Sequence, residues 1–187
     1  MKQAMLILLW SALLLLAALI QPRADALTMV DKIDYCIKYL MRFAPASPIY
    51  KNAETRRNLA SDIVQGAEEH GQDPFLLTSI FFCESTFNYA ALSERDEWGL
   101  GQVAKQWRSK CKNHGFDIGK QLGQVRCTSW AIKIETDRCG SVSAGLTSYA
   151  GWGRCNTKSE RKQWQVKRRL KLAEKLRGFN ALQRRLY

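Results

Sequence analysis

Signals for β-strands are almost absent from this sequence, which speaks against a sheet-based fold. Only two histidines occur, His70 and His114, and neither has the Ser and Asp context of a nucleophilic triad. No phosphate-cradling glycine-rich loop, nucleotide fingerprint or calcium loop is present, so no cofactor is implied. Cys-x-x-Cys is missing as well, which leaves the Cys111-x-x-His114 spacing without the second pair that a structural metal site wants. Internal repeats and low-complexity linkers are lacking, and 187 residues suit one compact domain with or without an appendage.

What is present begins with a leader. Lys2 precedes an uncharged run from Gln3 to Pro22, apolar from Ala4 to Ile20, and Ala24-Asp25-Ala26 supplies the small residues a signal peptidase reads. Residues 1–26 therefore read as a signal peptide cut after Ala26, with an uncleaved N-terminal anchor as the alternative. Either way the remainder is expected outside the cytoplasm, periplasmic or extracellular. Nothing later in the chain is long and apolar enough to span a bilayer. All six cysteines, Cys36, Cys83, Cys111, Cys127, Cys139 and Cys155, follow the leader. An even count in an exported chain points to disulfides, in a pairing that sequence does not choose.

Helical start and stop signals recur along the mature chain, and 46% apolar residues are enough for a core. Thr28 can cap a helix carrying Met29, Ile33, Cys36, Ile37 and Leu40 on one face. A second helix runs from Asn52 to Gly71. Asp73-Pro74 then combines a capping carboxylate with proline at the first helical position. The helix it opens, Phe75 to Ser85, has no polar face beyond Thr78 and Ser79 and is expected to be buried all round. A helix over Leu122 to Arg138, with Leu122, Val125, Trp130, Ala131 and Ile134 inward, and a short one over Ser141 to Ala150 complete a mainly α domain with disulfide-pinned loops.

Glu84 stands at the end of the buried element. A carboxyl there is desolvated in its charged form, which raises its pKa and suits it to general acid work. Phe87 and Tyr89 follow, then a polar loop from Ser93 to Gln102 in which Gly99 and Gly101 let backbone approach a bulky ligand. Trp98, Trp107, Trp130 and Trp152 could each stack on a ligand face, but Trp107 and Trp130 fall at core-like helical spacing.

Asp73-Pro74, Cys83-Glu84-Ser85-Thr86-Phe87-Asn88, Ser93 six residues ahead of Gly99-Leu100-Gly101-Gln102, and Ser148-Tyr149-Ala150-Gly151-Trp152-Gly153 succeed one another. Together they resemble the soluble lytic transglycosylase family. That family carries Glu-Ser-x-Phe-Asn, Gly-Leu-Met-Gln and Ala-Tyr-Asn-Ala-Gly segments in this order on a lysozyme-like, mainly helical domain. The resemblance spans roughly residues 55 to 157. It implies that Glu84 is the sole catalytic acid/base, that Ser85 and Gln102 support the sugar at the scissile bond, and that Tyr149 lines the cleft opposite Glu84. Ser93, Gly99, Trp98 and Trp152 would complete the substrate-binding set. The implied substrate is the glycan strand of peptidoglycan, cut between N-acetylmuramic acid and N-acetylglucosamine with closure of a 1,6-anhydro ring.

Two departures from the pattern stand out. Gly101 occupies the Met position, which would remove a wall of the groove, and Ala150 replaces an Asn, with one residue missing beside it. Two other readings remain open. A hydrolytic lysozyme would want a second carboxylate, for which Asp96 and Glu97 are the candidates. A non-catalytic module that binds cell-wall glycan would need only the cleft.

From Ser159 the chain reads as one long amphipathic helix with Trp164, Leu170, Ala173, Leu176 and Phe179 at helical spacing. Residues 158–187 hold eleven basic and two acidic side chains, a net of +9 out of +12, while residues 27–157 hold only +2. The region that carries the resemblance is thus nearly neutral. The tail is either a solvated basic face packed on the domain or a contact for anionic cell-wall or membrane surfaces. Nucleic acid is a poor partner for an exported chain.

Overall fold

Helix α1 (Met29–Leu40) begins at a reciprocal cap. Thr28 Oγ1 accepts from the Asp31 N–H at 3.1 Å, and the Asp31 carboxylate accepts from the Thr28 N–H at 3.1 Å. Asn52 caps α2 (Ala53–Glu69) by accepting from the Thr55 N–H, and Asp73 caps α3 (Pro74–Ser85) by accepting from the Phe75 N–H at 2.9 Å. The chain continues through α4 (Lys105–Asn113), α5 (Gln121–Cys139), α6 (Val142–Thr147), a π-helical turn (Ser148–Trp152) and α7 (Glu160–Gln183). The computed structural model describes residues 27–47 and 52–183, without the side chains of 151, 152 and 180–183. The leader over 1–26 lies outside the described residues. Among them there is no strand, only isolated bridges at Leu92–Trp98 and Trp98–Val103.

The architecture is mainly helical, and α3 runs through its middle. Helices α1, α2 and α7 all pack on it. Phe75, Leu76, Leu77, Ile80 and Phe81 are buried, and so are Thr78 and Ser79. Those two hydroxyls are satisfied inside the helix, donating to Pro74 O at 2.7 Å and Leu76 O at 2.8 Å. A helix without a polar face is stable here because three neighbours cover it.

Helix α7 belongs to that cover. Val166, Ala173 and Leu176 are in the core, and Phe179 stacks on Tyr35 of α1. Trp164, expected on the inner stripe, is instead 58% exposed, because it lies on the opposite side of the helix from Val166. Arg177 on α7 donates to the capping carboxylate of Asp73 at 2.8 Å, so Asp73 holds the start of α3 and an anchor of α7 together. Asp73→Ala is expected to lower unfolding free energy by about 1 kcal/mol, read by denaturant titration.

Two disulfides close, Cys111–Cys127 between α4 and α5, and Cys139–Cys155 between the end of α5 and the segment after the π-helical turn. They point to an oxidising, exported compartment. Four of the six candidate cysteines are joined in these bonds; of the others, Cys36 is buried on α1 and Cys83 is a half-buried thiol on α3. Cys111 is spent on a disulfide, so the Cys111-x-x-His114 spacing offers no thiolate. His114 caps α4 and stacks on Trp130 with centroids 4.6 Å apart. No described helix is long and apolar enough to cross a membrane.

Candidate active site

Glu84 sits in the last turn of α3, and the chain turns sharply just after it. Thr86 and Phe87 both take left-handed backbone conformations, at φ 50° and 63°, and Phe87 then drops into the core. A β-branched residue rarely adopts this geometry. The other non-glycine residues with positive φ among those described are Asp96 and Gln102, so all four fall in the segment that follows Glu84. Strain of this kind persists where the surroundings over-determine it, and it clusters at working sites.

The segment from Ala91 to Val103 is tied down by its own backbone and by the side chains expected to bind substrate. Ser85 Oγ donates to Leu100 O at 2.9 Å and to Phe81 O, which pins the loop to the end of α3. Gln102 Nε2 donates to Gly99 O at 3.0 Å. Ser93 Oγ accepts from the Arg95 and Glu97 N–H groups and donates to the Glu97 carboxylate at 3.2 Å. Trp98 pairs through its backbone with Val103 and is half-buried. The Trp152 side chain lies outside the described residues.

The two glycines of the loop are places of close approach. Gly99, at φ 76°, is pressed against Gln124: a Cβ there would lie 2.2 Å from Gln124 Oε1. A Cβ at Gly101 would lie 2.2 Å from Thr128 Oγ1 and 3.0 Å from the Tyr149 hydroxyl. Gly101 therefore opens no groove. It lets the loop backbone seat against α5 and the π-helical turn. Tyr149 is buried, and its hydroxyl donates to Gly101 O at 2.9 Å.

Glu84 itself is only 18% exposed, and its Oε1 accepts from Arg169 Nη2 of α7 at 2.5 Å. Burial pushes its carboxyl above the usual carboxylate range; Arg169 pulls it back, and the charge of Glu97 adds to the rise. Burial also pushes up the neighbouring Cys83 thiol and the Tyr149 phenol, and the charges of Glu84, Arg169 and Glu97 all reach Tyr149. Of the two loop acids, Asp96 is taken by Arg108 at 2.5 Å. Glu97 is the one whose charge acts on Glu84. The arrangement can donate a proton from a largely shielded carboxyl and take one back.

Two residues essential to this geometry escaped sequence reasoning. Gln124, buried on α5, accepts from the Leu100 N–H at 2.9 Å and donates to Tyr89 O and Ile118 O, so one amide fixes three loop segments. Arg169 is the other. Its signal was available: it stands three residues after Val166 and four before Ala173, a cation on the apolar stripe of the last helix. Neither the protein-family models nor the curated proteins contain a match to this chain.

Proposed function

We propose that the protein is a lytic transglycosylase of lysozyme-like fold that cleaves the peptidoglycan strand between N-acetylmuramic acid and N-acetylglucosamine, with Glu84 as its single acid/base. The observation that carries this reading is a shielded, pKa-raised carboxyl at the end of the central helix. A strained loop bearing the resembling segments is braced beside it. In the reaction, Glu84 gives its proton to the glycosidic oxygen as the C1–oxygen bond breaks. The C6 hydroxyl of the muramic acid attacks C1, and its proton passes to the Glu84 carboxylate. The 1,6-anhydro ring forms, the acid is regenerated and no water is consumed.

Digestion of purified peptidoglycan with mass analysis of the muropeptides tests this: anhydro products are expected. Products one water heavier would overturn it in favour of a hydrolase. The influence of Glu97 on Glu84 is what favours that second reading, because Glu97 could then serve as the second carboxylate. Cleavage needs protonated Glu84, so the rate should hold at low pH and fall as pH rises through its elevated pKa.

The reading places the mature chain in the periplasm or outside the cell, after removal of residues 1–26. A basic outer face of α7 would then meet an anionic wall or membrane surface. Lys167, Arg168, Lys171 and Lys175 are exposed there and, with Trp164 and Leu172, line an open groove of about 450 Å³. Deleting α7 would remove core residues, so the test is the triple variant Lys167→Gln/Lys171→Gln/Lys175→Gln. Its sedimentation with cell-wall or anionic membrane preparations at low salt should weaken about tenfold. Binding equal to that of the parent would rule the contact out.

A further inference from the structure

The inner face of α7 carries a cation that the packing of a basic helix does not require. Arg169 is buried between core residues Val166 and Ala173, and its short contact among the described residues is to Glu84. Most buried polar side-chain atoms in a folded protein have a hydrogen-bond partner. Here Nε is buried with no partner among the described residues, while Nη2 reaches Glu84 Oε1 at 2.5 Å. We propose that Arg169 is a positioning residue for Glu84, which makes α7 a working part of the active site. The inference rests on the acid/base role given to Glu84 above.

The chemistry follows from what a guanidinium can do. It donates and never accepts, so the carboxyl oxygen it holds is the one that does not carry the acidic proton. With Oε1 engaged, the proton resides on Oε2, and the side chain is fixed by a charge-assisted bond in one orientation. A residue that first gives a proton and then takes one back works best with a pKa near the working pH. Burial drives Glu84 toward the acid form, and so does the negative charge of Glu97; Arg169 opposes both. The other groups around the pair are Tyr149 on the π-helical turn, Cys83 next in sequence, and Arg168, whose charge reaches Cys83. None of these supplies a second donor to Glu84 among the described contacts.

The test uses the full mature chain. The Glu84 carboxyl is titrated by NMR in the parent, Arg169→Met and Arg169→Lys proteins, and glycan cleavage is followed across pH. Arg169→Met should move the Glu84 midpoint, and with it the basic limb of the rate profile, upward by about one pH unit or more. The plateau rate should fall about tenfold through lost orientation. Arg169→Lys should bring the midpoint back toward the parent without restoring the rate, since an ammonium lacks the planar fork. Should Arg169→Met not fold, Arg169→Gln takes its place, keeping a donor without the charge. An unchanged midpoint in the uncharged variant, or a rate loss with no movement of the profile, would overturn the proposal. If the parent releases no muropeptides at any pH, the glycan reading fails by itself, and the NMR midpoint still decides the role of Arg169.

Discussion

Glu84→Gln is expected to lower release of muropeptides about 10³-fold while leaving sedimentation with cell walls intact. The amide keeps the shape of the carboxylic acid and an oxygen that can accept from Arg169, but it has no acidic proton to give and no carboxylate to take one back. Removing one member of a buried ion pair often destabilises a protein strongly. Here the fold already favours neutral Glu84, since burial dominates over Arg169 in setting its pKa. The amide imitates that neutral state, so the variant should melt near the parent. The same asymmetry gives a sign for pH: the folded state prefers the protonated form, and the stability this confers is lost as pH rises through the elevated pKa. Equal clearing of wall material by both proteins would remove Glu84 from the mechanism.

Gly101→Met, which would restore the residue that the resembling family has at this position, is expected to cost about 2–3 kcal/mol of folding stability. A Cβ at Gly101 would fall 2.2 Å from Thr128 Oγ1. Thr128 is buried on α5, and a β-branched side chain in a helix has little rotamer freedom with which to move aside. The loop would have to lift, and the hydrogen bond from Tyr149 to Gly101 O would go with it. Denaturant unfolding measures the loss. Parent-like stability with higher activity would mean that the loop backbone seats differently and that a wall really is missing there.

The fold was legible wherever caps and periodicity agree. Thr28, Asn52 and Asp73-Pro74 all open helices as their side-chain chemistry predicts. Helix α4 was missed because Lys105–Asn113 buries only Trp107 and Cys111 and shows no apolar stripe. On α5 the helix was found and its inner face only in part: Val125 and Ala131 are buried as expected. Ile134 is 41% exposed, and Gly123, Gln124, Thr128 and Ser129 are inside. Small and polar residues face inward there because α5 must let the Gly99–Gly101 backbone come close and must hydrogen-bond it. A count of apolar positions cannot register either need.

The same limit applies to the candidate site. Glu84 was found because its helix is apolar, and its elevated pKa follows from that burial. Arg169 was not found, because it lies 85 residues away and only the packing of α7 on α3 brings it to Glu84. Ser85, Ser93 and Gln102 were expected to face a sugar. Their polar atoms go to loop backbone and to Glu97, interactions between residues that sequence spacing alone does not pair.

That 85-residue separation also sets a clock. At roughly 5–20 residues per second, a chain made from its N-terminus emerges with Glu84 about 4–17 s before Arg169 exists. Throughout that interval the carboxyl has no guanidinium to orient it. A glycan-cutting chain assembled in this order would stay blunt during synthesis and sharpen only when its last helix docks.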